Sequence, residues 1–433
     1  RYRTELGERD ARTEQLARRA AAHLATAGDR AFNRHDLHVA ANLLTRALAL
    51  APAEPIDVRH ELRRIEAMWD AGQTGEANQL LGDLLERTTA LGDGRADIPP
   101  KVHALFFRIQ AGEPVTDELE SLCRAAVDAF DPETDAEPLA YAWLGLSVTS
   151  LMRCHWEAVA DAAQHSQDCA RRCGDDYLAW HVAFNGIGVY TLGPKPAEQG
   201  RAWIATQPPQ VQRSPLVTAG MAILDAMSGE IERARAGLAE ARSHMVELGN
   251  IREATGVAML EAAVDLMAGD PARAAQTARE GCAELDALGD LGHQSTVAGL
   301  GAEAYWRVGD AERTREMLAL ARRTGAEEDV VTQMYIVRVG GKLLSDGGDH
   351  AAAEREVRRG LALSDATDML NEQAESRVDL AHVLFASGRA DEARAALEEA
   401  QAQFSRKGNR PRAEWVAQRL ATNGSLSSGG PDD

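Results

Sequence analysis

The stretch LMAGDPARAAQTAREGCAELDALGD, residues 266 to 290, contains the end of one helix, a tight turn, a whole second helix and a glycine stop. The same skeleton occurs forty residues earlier as AMSGEIERARAGLAEARSHMVELGN. Self-similarity at a fixed period constrains a fold more than composition does, because each unit then has to bury its apolar face against copies of itself. Taking the glycine of G-D/E-x-x-x-A as the anchor, Gly229, Gly269, Gly309, Gly348 and Gly388 stand at spacings of 40, 40, 39 and 40. Upstream, Gly193, Arg153, Gly112, Gly72 and His35 occupy the equivalent places at spacings of 36, 40, 41, 40 and 37. The middle turns are degenerate: TLGPKPAEQG lacks the alanine and LMRCHWEAVA lacks the glycine.

The turn glycine ends one helix in the left-handed region at no steric cost, and the acidic residue or proline after it suits the first turn of the next. The second helix carries small and apolar residues three and four apart, as in Ala234, Leu238, Ala241, Met245 and Leu248. That spacing makes one buried stripe. Glycine stops follow at 173–175 (CGD), 248–250 (LGN), 288–290 (LGD) and 407–409 (KGN). The first helices, such as YAWLGLSVTSLM at 141–152 and YLAWHVAFNGIGVYTL at 177–192, are apolar on more than one side, as a helix flanked by neighbours requires.

These features predict an all-α, right-handed solenoid of about ten helical hairpins with a period near 40 residues. Residues 1–30 form a leading helix, 31–422 the array and 423–433, rich in Gly, Ser and Asp, a disordered tail. Each hairpin should touch only its neighbours, so the chain should be elongated and tolerate truncation after Gly289.

Composition excludes several function classes. Lys plus Arg is 47 and Asp plus Glu 67, a net charge of −20 that repels a nucleic-acid backbone. No run of 18 apolar residues appears, which speaks against a membrane partner. The five cysteines, Cys123, Cys154, Cys169, Cys173 and Cys282, are few and odd in number, which points to a reducing, cytoplasmic setting.

Catalytic motifs fail on spacing. RVGGKLLS at 338–345 lacks the first glycine and the Ser or Thr after lysine that a phosphate-cradling loop needs, and Gly340 and Gly341 are expected to allow close helix packing instead. His60-Glu61 begins HELRR, so the second histidine of a zinc protease is missing. No G-x-S-x-G elbow occurs. The cluster CHWEAVADAAQHSQDCARRC at 154–173 offers His165, Cys169 and Cys173 one turn apart. The repeat register places these with Ala241, Met245 and Gly249, however, so they are expected in the core and at a glycine stop, with no metal and no cofactor.

With small-x-x-aromatic spacing in the first helix and G-D-x-x-x-A at the turn, the hairpins resemble tetratricopeptide repeats (TPR) of an enlarged kind. The segment RYRTELGERDARTEQLARRAAAHLATAGDRAFNRHDLHVAANLLTRALALAP is similar to the region following the ATPase module in bacterial class III adenylate/guanylate cyclase-like proteins and related signal-transduction ATPases. LGHQSTVAGLGAEAYWRVGD at 291–310 and ATDMLNEQAESRVDLAHVLFASGRADEA at 366–393 resemble the C-terminal region of the same family. The resemblance implies a non-enzymatic sensor and protein-interaction array that biases an upstream ATPase in cis, whose output domain is a cyclase or a DNA-binding domain. The absence of Met at Arg1 agrees with a longer parent. The alternative is a stand-alone adaptor with no ATPase partner.

On a TPR template the first helices line the concave groove, which turns Trp143, Trp180, Tyr190, Trp306, Tyr335, Arg338 and Lys342 inward. Aromatics with a few cations suit a protein or peptide partner or a small anionic ligand. Arg338 and Lys342 lie one turn apart on one face, and the competing expectation is that they pair with acidic residues of adjacent repeats.

Overall fold

A computed structural model describes residues 11–422, apart from 35 and 53. Every regular element among them is helical. In chain order, α1 (Ala11–Phe32) pairs with α2 (Leu37–Leu48), α3 (Val58–Asp70) with α4 (Thr74–Leu91), and α5 (Gly94–Gln110) with α6 (Thr116–Ala129). Next, α7 (Ala136–Met152) pairs with α8 (Trp156–Arg172), while α9 (Asp176–Thr191) is followed by the short α10 (Ala197–Ala205) and α11 (Pro209–Gln212). Regular pairing resumes with α12 (Pro215–Met227) and α13 (Ile231–Glu247), α14 (Ile251–Met267) and α15 (Pro271–Leu288), and α16 (Leu291–Arg307) and α17 (Ala311–Thr324). The last pairs are α18 (Val330–Asp346) with α19 (His350–Asp365) and α20 (Leu370–Ala386) with α21 (Ala390–Lys407), after which α22 (Arg410–Ala421) packs on the end. The predicted tail, residues 423–433, lies outside the described residues.

One two-residue device makes most of the connections. Gly72, Gly112, Gly229, Gly269, Gly309, Gly348 and Gly388 all have positive φ, as do the stops Gly92, Gly174, Gly249, Gly289 and Gly408. At eight of these twelve glycines the residue that follows then caps the next helix with its side chain. Asp270, Asp310 and Asp349 accept the backbone N–H of Arg273, Arg313 and Ala352, and Asn250 and Asp290 do the same at the stops. Such a cap contributes about 1 kcal/mol, which is why an acidic residue or asparagine recurs there.

Four register assignments need correction. At the degenerate turn the left-handed residue is Cys154, at φ 58°, and not Arg153. Gly193 has no positive φ; a side chain there would meet Trp156 Cβ at 2.5 Å, so this glycine serves close packing. The stop at 173–175 turns on Gly174, which moves Cys173 off the glycine position and His165 off the Ala241 position. His165 is accordingly exposed, while Cys169 stays buried. His35 lies outside the described residues.

The stripe Ala234, Leu238, Ala241 and Met245 is buried, and Leu248 half-buried. First helices bury nearly all round: α12 hides Leu216, Val217, Ala219, Ile223, Leu224, Ala226 and Met227. Full burial of a leucine or methionine contributes about 1.5–3 kcal/mol, so stacking supplies what a lone hairpin lacks.

The array does not stay open. Thr116 N–H donates to Glu328 Oε1 at 3.0 Å across a separation of 212 residues. Trp156 and Glu157 N–H, at the start of α8, both donate to the Asp368 carboxylate at 2.8 Å across 212 and 211 residues. Lys407 Nζ donates to the carbonyls of Gly193 and, at 2.9 Å, of Lys195, across 214 and 212 residues. Leu37 N–H donates to Leu248 O at 3.1 Å, and a Cβ on Gly112 would lie 3.0 Å from Thr324 O. The solenoid therefore completes one superhelical turn in about 212 residues, and the second turn rests on the first, stop loops against turn loops. Hairpins touch copies five further along as well as their neighbours, which overturns the expectation of neighbour-only contacts in an elongated array.

Candidate functional site

The first helices of two successive hairpins, α16 and α18, bring four of the candidate residues together: Trp306, Tyr335, Arg338 and Lys342. Lys342 is 0% exposed and Arg338 3%. The Lys342 ammonium sits 4.0 Å from the Trp306 ring centroid, and the Arg338 guanidinium lies 5.7 Å from that of Tyr335. Trp306 Nε1 donates to Asp346 Oδ2 at 2.7 Å, and His382 meets the Trp306 ring edge-on at 5.1 Å. The remaining candidates lie elsewhere. Trp143, half-buried on α7, stacks on His165 at 4.4 Å, and Tyr190 on α9 packs against Trp203 at 5.8 Å. The Trp180 side chain is outside the described residues.

Both cations are answered within the fold. Lys342 Nζ pairs with Glu303 and, at 2.9 Å, with Asp379 Oδ1. Arg338 donates through Nε to Asp379 at 2.7 Å and through Nη1 to Glu372 at 2.6 Å. Arg307 Nε reaches Glu303 at 2.7 Å, its Nη2 stands 3.9 Å from Glu375, and Arg412 grips Glu375 at 2.6 and 2.7 Å. Four carboxylates and four cations thus alternate in one string spanning four first-position helices, α16, α18, α20 and α22. The carboxylates were not singled out from sequence, yet a signal existed. Glu303 and Lys342 hold the same position relative to Gly309 and Gly348, so opposite charges recur at one register on adjacent first helices.

The string sets its own protonation. Burial alone would raise the Glu303 carboxyl, but Lys342 and Arg307 outweigh it and hold the group well below its ordinary value. Glu372 goes the other way: burial raises it and Arg338 offsets only part. Burial also lifts the Tyr335 phenol. Chemically, the site is a polar core of four carboxylates against four cations, packed behind Trp306 through Lys342 and behind Tyr335 through Arg338.

Two of the motifs set aside on spacing can be followed into the fold. RVGGKLLS lies inside α18, where a Cβ on Gly341 would meet Val357 Cγ1 at 2.7 Å. Gly340 is less confined, its nearest neighbour being Arg322 Nη2 at 3.6 Å. His60 of HELRR bridges Asp57 at 2.6 Å and Asp29 at 3.2 Å. Among the described residues, no three His, Cys, Asp or Glu side chains gather as a metal site, and no helix is long and apolar enough to cross a membrane.

The fold is similar to that of a Rap protein solved in complex with Competence and Sporulation Factor, with a TM-score of 0.52 and 12% identity over 85% of this chain and 97% of that one. Looser likenesses are the APC/C hetero-tetramer Cut9–Hcn1, with a TM-score of 0.49 and 12% identity over 90% of this chain and 79% of that one, and the human IFIT1 dimer, with a TM-score of 0.44 and 11% identity over 92% and 94%. No known protein family matches the sequence, and no curated protein does. The chain is a TPR-like helical solenoid in fold.

Proposed function

We propose that this chain is a non-enzymatic sensor and interaction array, the C-terminal regulatory region of a bacterial cyclase- or transcription-regulator-type signalling ATPase. The observation that carries the ligand-facing part is the buried string behind Trp306 and Tyr335. A neutral, fully paired core costs a good deal to assemble, and its use here is to present two aromatic rings in fixed poses. Arg338 and Lys342 then order the aromatic surface that a protein, a peptide or a small anionic ligand meets in the cytoplasm, with Trp143, Trp180 and Tyr190 as further contacts. The N-terminal segment that resembles the linker after an ATPase supports a parent in cis.

Two measurements test this. Reading the gene upstream of Arg1 should reveal an ATPase module in frame; a start codon immediately before it would favour the stand-alone adaptor. Arg338→Ala/Lys342→Ala should weaken capture of the parent's partner tenfold or more. An unchanged affinity with a lower melting temperature would leave the two cations as structural alone.

A further inference from the structure

The hairpin that begins with α9 departs from the others in its second helix. The other second helices run 12 to 18 residues, whereas α10 has 9. Pro208 and Pro209 follow at once, and a proline both lacks an N–H and disfavours helix in the residue before it. The missing turns leave a cavity of about 140 Å³ between α8, α9 and α10.

The walls of this cavity have a definite chemistry. Tyr190 and Trp203 form the aromatic side, and Trp203 lies flush on α9 because position 186 is glycine; a Cβ there would meet its Cζ2 at 2.6 Å. Ala160 and Ala163 keep the opposite side flat. Gln164, Gln167 and Gln207 also line it, and each already donates through its amide nitrogen, to Asp168, to the Ala179 carbonyl and to the Trp203 carbonyl. Their amide oxygens accept no hydrogen bond from the described residues, although Gln167 is only 6% exposed. Lys195 stands at the same cavity with its ammonium 5.7 Å from the Tyr190 ring and no carboxylate partner among the described residues.

We propose that this cavity is a binding site for a small hydroxylated aromatic carboxylate. The volume matches the roughly 150 Å³ that accommodates one benzene ring. The ring stacks on Tyr190 and Trp203, its hydroxyl donates to the free glutamine oxygens, and its carboxylate meets Lys195. A sugar of similar size would set hydroxyls against Val182, Val189 and the aromatic faces, where nothing accepts them. The site lies against the second helices α8 and α10 and does not depend on the string behind Trp306.

Isothermal titration of the full chain with 4-hydroxybenzoate tests the assignment, with 4-hydroxybenzyl alcohol and cyclohexanecarboxylate as comparison probes. One saturable site is expected for 4-hydroxybenzoate, with weaker binding of both comparison probes. Lys195→Met should weaken the benzoate tenfold or more and leave the alcohol unaffected, and the half-buried Ala160→Met should abolish both at an unchanged melting temperature. No saturable heat with 4-hydroxybenzoate, or equal affinity in Lys195→Met, would overturn the proposal.

Discussion

Replacing Lys342 by methionine keeps the length and the apolar stem of the side chain and deletes only its charge. In the native chain that charge is fully buried, pairs with Glu303 and with Asp379 at 2.9 Å, and lies over the Trp306 ring. Removing one partner of a buried pair costs about 3–5 kcal/mol, because the other partner stays buried and uncompensated. Arg307 still reaches Glu303 and Arg338 still reaches Asp379, so the lower end, about 3 kcal/mol, is expected. The pH dependence has a definite sign. Glu303 is held below the ordinary 4.5 of a glutamate, so its contribution is present above that value and is lost as pH falls through its depressed folded-state pKa. Deleting Lys342 removes much of that contribution, and the gap between variant and native protein should close as the solution is acidified below 4.5. Denaturant unfolding at pH 7.5 and pH 3.5, followed by helical circular dichroism, reads both. A loss under about 1 kcal/mol at pH 7.5, the size of a surface ion pair, would refute the buried string.

Other consequences can be measured separately. Asp368→Ala removes the cap that the second superhelical turn places on α8, and should cost about 0.5–2 kcal/mol while raising hydrogen exchange at Trp156 and Glu157. Hydrogen bonds donated to Asp29 and Asp57 raise His60, and the charge of Asp290 raises His293, each to about 9 from 6.5, so their stabilisation is complete below pH 6.5 and lost as pH rises through 9. His60→Gln and His293→Gln should each flatten the melting temperature against pH over that window. Burial lowers Lys407 to about 7 from 10.5, so the native protein gains stability from pH 7 to 10.5, a rise that Lys407→Met should lack. Burial also pushes the Cys123 and Cys282 thiols up to about 12, and both should resist maleimide until the chain unfolds.

The helical hairpins are legible because many boundaries are written in residues with a local meaning: a glycine for positive φ and, at eight of them, an Asp or Asn cap beside it. Legibility ends where that code is broken. At Cys154 a residue with a Cβ takes the left-handed conformation, and nothing about cysteine announces it. Arg338 and Lys342 stand one turn apart in the sequence, but their partners Asp379 and Glu303 lie 41 and 39 residues away, among many exposed carboxylates. The superhelical seam was least visible. Its contacts join loops more than 200 residues apart, and several use backbone carbonyls, which leave no mark in a sequence.

That seam bears on how such a chain can change over generations. In an open solenoid a hairpin can be duplicated or lost at little cost, since each unit meets only an equivalent neighbour. Here an added hairpin between Gly193 and Glu328 would bring a different loop beneath Asp368, beneath Glu328 and beside Lys407 at once. Copy number is therefore locked: the gene can gain or shed a hairpin only by rewriting every pairing that spans the insertion.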